Sequence, residues 1–162
     1  MKQIFFIAFL FAGIPSFCQT TIQRDAEIEK MVKEISSDSL KSYIKSMVAF
    51  GTRNTLSTQT NPKRGIGAAR NWVLGKFNEF AKQSDGRLSA FIDTTTLQPD
   101  KRRIDTVTLL GNVVATLKGT DPNDNRIFII SGHLDNMRSS PTERMGDAPG
   151  ANDDASGCAA VI

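Results

Sequence analysis

The spacing of apolar residues changes period near residue 84, and that change constrains the fold of this 162-residue chain more than any other feature. Before it, apolar residues recur every three or four positions, as one face of a helix requires. Ile28, Met31, Val32 and Ile35 form one series, and Leu40, Tyr43, Ile44, Met47 and Val48 form a second. Ser36-Ser37-Asp38 separates the two, with Asp38 or Ser39 expected to cap the second helix. Phe50-Gly51 closes that helix, and residues 51–64 read as a polar loop. A third helix is expected from Gly65 to about Gln83, with Ile66, Ala69, Trp72, Val73, Phe77 and Phe80 on one face. Beyond residue 84 the apolar residues alternate. Leu88, Ala90 and Ile92 mark a strand, Pro99 to Arg103 a turn, and Val107 to Leu117 a second strand with Gly111 as a bulge. Arg126-Ile-Phe-Ile-Ile130 is a short apolar run of the kind buried on both faces of a sheet. A loop over 136–150 and a helix from near Asp153 complete the pattern. Such an order predicts an α/β fold, an αβα sandwich with a mixed β-sheet. Ligands of such sheets bind at the carboxyl ends of the strands.

One such strand end carries the only histidine of the chain. Residues 132–136 read Gly-His133-Leu-Asp135-Asn, and after the loop comes Ala148-Pro149-Gly150-Ala151-Asn152-Asp153-Asp154-Ala155-Ser156-Gly157. Side chains two apart on a strand share a face, so His133 and Asp135 project together. Imidazole and carboxylate are donors that zinc accepts. A metal-binding histidine usually gives its second ring N–H to a carboxylate, and the spacing of Asp135 suits it to that role. Asp153 is expected at a helix start, where N–H groups and the dipole favour an anion. Taken singly, each feature is ordinary: a lone histidine is usually structural, and an acidic pair before a helix is usually a cap. The conjunction is what points to a metal.

The amino terminus reads differently from the rest. Lys2 precedes an eleven-residue apolar stretch from Ile4 to Ile14, then Pro15 and small residues. About 20 residues are needed to cross a bilayer, so the stretch predicts a signal peptide over residues 1–18, cut before Gln19. Secretion or a periplasmic location follows, with no transmembrane anchor after cleavage. A lipoprotein acylated at Cys18 is the competing reading, and bulky Phe17 opposes it. Cys158 would then stand alone among Ala159, Ala160 and Val161, as a buried small hydrophobe. The net charge of +3 comes from scattered residues with no aromatic-interleaved basic patch, so nucleic acid is not an expected partner. Lys101-Arg102-Arg103 is the one tight basic run and reads as a solvated loop.

The stretch from Gly132 to Gly157 closely resembles the di-zinc aminopeptidases, a metallo-exopeptidase family related to bacterial leucyl aminopeptidase, glutamate carboxypeptidase and glutaminyl cyclase. Phe50-Gly51-Thr52-Arg53 and Gly65 to Trp72 look like the amino-terminal helices of that family, so the likeness spans most of residues 38–162. The resemblance implies a hydrolase-like fold of which residues 19–162 form the amino-terminal part. It implies that His133 and Asp153 are metal ligands, Asp153 bridging two zinc ions. It further implies that Asp135 steadies the histidine and that Asp154, beside the bridge, supports the site. In the family the paired zincs activate a hydroxide that attacks a peptide carbonyl, and one of them also helps hold the free amino terminus of a peptide substrate. Asn152 stands where the family often has aspartate. The general-base glutamate and the remaining ligands of the family fall later in sequence than Asp153. The chain as written is therefore expected to be inactive alone. Two other readings remain at this point: a glutaminyl cyclase-like zinc enzyme, and a non-catalytic binding domain of the same fold.

Overall fold

Helix boundaries follow the caps. The computed structural model describes residues 24–162, and the expected signal peptide over 1–18 lies outside the described residues. The chain divides into two units at Ile35. The first holds α1 (Ala26–Glu34), which starts where the Asp25 carboxylate accepts the N–H of Glu27 at 2.8 Å. Glu27 and Glu29 in its first turn and Lys33 in its last complement the helix dipole. Its apolar residues Ile28, Met31, Val32 and Ile35 are all exposed.

The second unit begins with α2 (Ser37–Ala49). Its cap is Ser36, two residues before Asp38 and three before Ser39: Ser36 is extended and its hydroxyl accepts the N–H of Ser39 at 3.2 Å. α3 (Gly65–Ala81) follows, then β1 (Leu88–Leu97) and β2 (Thr108–Leu117). The strands pair antiparallel in unbroken register, Leu88 opposite Leu117 and Leu97 opposite Thr108. Gly111 is therefore no bulge. A Cβ there would strike the Arg70 guanidinium, so the glycine makes room for a buried arginine of α3. Between the strands the Asp100 carboxylate accepts three N–H groups, from Arg102, Arg103 and Ile104, each at 2.8 Å. That closes the turn expected there.

Met47 of α2, Ala155, Cys158 and Ala159 form the core, flanked by Leu40, Tyr43, Ile44, Trp72 and Leu134. Trp72 lies edge-on to Tyr43 with ring centroids 5.8 Å apart. α3 also packs against β1 and β2. Cys158 is buried beside small residues, as its neighbours in sequence suggested. Among the described residues no helix is long and apolar enough to cross a membrane.

Further expectations are corrected. Residues 126–130 are not a buried strand: Ile127, Phe128, Ile129 and Ile130 are 78% to 86% exposed, and the sheet of the described residues has two strands. A strand exists through hydrogen bonds to neighbours, and neither edge of this run is paired. Residues 51–64 form the loop expected there, and within it Thr52, Arg53, Asn54, Leu56 and Ser57 are buried. Finally, α4 spans Ser156–Val161 and starts after the acidic pair, since Asp153 and Asp154 hold non-helical backbone angles. The architecture among the described residues is thus mixed α/β, with α3 packed on an antiparallel hairpin.

Candidate metal centre

His133, Asp135, Asp153 and Asp154 are 21 residues apart at most in sequence, and the fold brings all four together. The Nε2 of His133 lies 3.0 Å from Oδ1 of Asp153. Its other nitrogen, Nδ1, lies 3.1 Å from the backbone carbonyl of Asp135 and 3.6 Å from the Asp135 carboxylate. The carbonyl can only accept, so Nδ1 carries a proton there and Nε2 is the nitrogen that faces Asp153. The Asp135 side chain was expected to steady the ring; its main-chain oxygen is the nearer partner, and its carboxylate stands behind it. The second carboxylate oxygen of Asp135 accepts the Thr55 hydroxyl at 3.1 Å, which sets the plane of the group.

Asp154 points elsewhere. One oxygen accepts the N–H of Gly157 at 2.9 Å, in the first turn of α4, and the other accepts the N–H of His133 at 3.2 Å. It is a tie between the helix start and the histidine. This leaves the Asp153 side chain free, 86% exposed and turned to the imidazole. The Asp153–Asp154 peptide bond is cis. Ahead of the pair, Gly150 has φ +47°, and a Cβ there would crowd the Asn136 side chain, so glycine suits the position on two counts.

The electrostatics follow from this placement. The His133 pKa is raised above its ordinary value, first by the bond to the Asp135 carbonyl and then by the charges of Asp135, Asp154 and Asp153, with burial opposing. The space between Nε2 and Asp153 therefore favours positive charge: a proton in acid, or a metal cation. Nitrogen and carboxylate oxygen suit zinc. Two such donors meet here, and no group of three or more candidate ligands occurs among the described residues. A cleft of about 380 Å³ adjoins the centre, with Asp135, Thr55, Asn54 and Met137 on one side and Arg103 and Ile104 of the hairpin turn on the other.

Several residues that build this centre were not singled out for it by sequence. Arg53 is 1% exposed. Its backbone pairs with Asn136, donating to Oδ1 at 2.8 Å and accepting the Asn136 N–H at 3.3 Å. The Asn136 amide in turn donates to the Ala148 carbonyl. Nothing in residue type marks Arg53, Thr55 or Asn136 as site builders. For Arg53 the one available signal was the likeness of Phe50-Gly51-Thr52-Arg53 to the same family.

Comparison with known proteins bears on the same stretch. Residues 112–162 match peptidase family M28. A "Probable zinc metalloprotease" of Pyrenophora teres f. teres is 45% identical over 139 residues, covering 85% of this chain and 30% of that protein. Proteins of the same printed name from Leptosphaeria maculans and Pyricularia oryzae are each 41% identical over 138 residues, covering 85% of this chain and 32% and 27% of theirs. The chain thus spans about 30% of the length of the curated relatives it matches. No solved structure matches it. The residues that meet at His133 lie within the matched stretch, so the part of the chain that carries the centre is similar to peptidase family M28.

Proposed function

We propose that this chain supplies the amino-terminal site residues of a secreted zinc-dependent exopeptidase, an aminopeptidase acting on peptides with a free amino terminus. The observation that carries the reading is the 3.0 Å approach of His133 Nε2 to Asp153 Oδ1, with Nδ1 tied back to Asp135. His133 and Asp153 would hold zinc, and Asp153, exposed on its far side, has a second oxygen to offer another ion. When bound, zinc supplies Lewis acidity that makes water a nucleophile near neutral pH. The protein's own residues do the rest. Asp135 and its Thr55 partner hold the imidazole in one tautomer and one plane. Asp154 pins the His133 backbone to α4. The cleft lined by Asp135 offers room for one substrate residue.

The fold this reading requires is the αβα sandwich with a mixed β-sheet. The apolar run from Ile4 to Ile14 supports export. The test is metal content and specificity of the protein read from the complete gene. Stoichiometric zinc and cleavage of amino-acid anilides, with amino-acetylated peptides spared, is the expected result. Equal cleavage of blocked peptides would overturn the aminopeptidase assignment, and cyclisation of N-terminal glutaminyl peptides in its place would favour the cyclase.

A further inference from the structure

Arg53 is among the largest fully buried side chains of the described residues, and no carboxylate hydrogen-bonds to it. Its guanidinium donates only to main-chain carbonyls: Nε to Leu134 at 2.8 Å, Nη1 to Met47 and to Pro149 at 3.0 Å, and Nη2 to Gly150 at 3.0 Å. Four of its five N–H groups are thereby used. Burial lowers its pKa, and the charges of Asp135 and Asp154 act in the opposite direction.

The acceptors are not scattered. Leu134 sits between His133 and Asp135. Pro149 and Gly150 lead into Asp153, and the Gly150 carbonyl also receives the N–H of Ala155 at 3.1 Å. One rigid, planar fork therefore holds both stretches that carry the metal donors, and its third anchor is the end of α2. The other buried arginine, Arg70, reaches Gln59 and the Leu109 carbonyl and touches neither stretch. We propose that Arg53 is a positioning residue of the metal centre, setting the separation of His133 from Asp153. The proposal rests on the reading of those two as ligands only for its metal arm; the separation itself is a property of the metal-free chain.

A lysine at 53 would keep the charge but not the fork, because an ammonium on a flexible stem cannot reach the carbonyls of 134 and 150 in one plane. The test is solution NMR of the isotope-labelled 162-residue chain and of its R53K and R70K variants. Without metal, a nuclear Overhauser contact between the His133 ring and Asp153 is expected in the native chain and in R70K, and is expected to vanish in R53K. Zinc titrated into each is read from the His133 ring shift, with affinity expected to fall about tenfold in R53K and to hold within twofold in R70K. In the native chain, zinc is expected to move the Arg53 Nε–H resonance and leave that of Arg70 in place, a readout that survives if R53K does not fold. Retention of both contact and affinity in R53K would overturn the proposal, as would equal losses in R70K or absence of the contact in the native chain. A native chain that keeps the contact but binds no zinc would remove the metal reading and leave the positioning role standing.

Discussion

Removing the Asp154 carboxylate should loosen the centre and the end of the chain together. The side chain accepts two N–H groups, Gly157 at 2.9 Å and His133 at 3.2 Å, and is partly open to solvent. Hydrogen bonds to a charged acceptor contribute about 1.5 kcal/mol each at the weak end, so the pair sums to about 3 kcal/mol in a dry setting. Solvent at Asp154 and relaxation of the freed amides toward water reduce this, and we expect Asp154→Ala to cost about 2 kcal/mol. Asp154→Asn keeps one oxygen but turns an amide donor toward the second N–H. Its cost should fall between zero and that of alanine, at about 1 kcal/mol. Urea unfolding followed by the fluorescence of Trp72, the single tryptophan, reports this directly, because Trp72 packs on the core that contains Cys158. The midpoint should fall with the slope unchanged. A loss below about 0.5 kcal/mol for alanine, within the range of ordinary surface substitutions, would refute the idea that Asp154 ties His133 to α4.

Other outcomes follow from the same structure. Burial pushes the Cys158 thiol up to about 11, so iodoacetamide at pH 8 should label the folded chain far more slowly than the urea-unfolded one; equal rates would count against the burial. Because an acid with a raised folded pKa holds its proton longer when folded, stability from this group is full below pH 9.0, its ordinary value, and declines as pH climbs toward the folded one. Cys158→Ala should lessen that alkaline decline in the urea midpoint. With two donors in place, 100 µM zinc should raise the melting temperature of the chain by less than about 1 °C if its affinity is millimolar, and a clear rise would show a third ligand at work. Ile129→Lys should slow light-scattering growth of concentrated chain by placing a charge in an exposed, unpaired apolar run; unchanged scattering would show that the run does not drive association.

What could be read in the sequence was what depends on near neighbours. The helical series around Met47 and Phe77 and the alternation around Ala90 each carry their period within a dozen residues, and the structure follows them. The Asp100 turn is likewise local, one carboxylate closing three adjacent amides. The misreadings share a different cause. Ile127 to Ile130 have the composition of a buried strand, but burial depends on partners that composition does not name. Arg53 and Asn54 look like surface residues and are buried, with polar groups satisfied by atoms more than 80 residues away. In the site, His133, Asp135 and Asp153 were legible through a compact motif, and the structure brings them together. The division of labour inside the acidic pair was not: Asp153 faces the ring while Asp154 faces two amides, a choice made by backbone angles.

The four carbonyls that hold Arg53 also fix when it can be buried. Met47 is six residues away, but Leu134, Pro149 and Gly150 follow it by 81, 96 and 97 residues. At roughly 5–20 residues per second, a ribosome needs about 5–20 s to make that stretch, and Arg53 must stay hydrated meanwhile. Contacts of such long range form late and slow folding. The loop that begins at Gly51 therefore waits, open, for the segment that carries Asp153. His133 and Asp153 acquire their spacing only in the step that closes it. Zinc offered during synthesis would meet separate side chains, and the order of events runs from chain closure to metal.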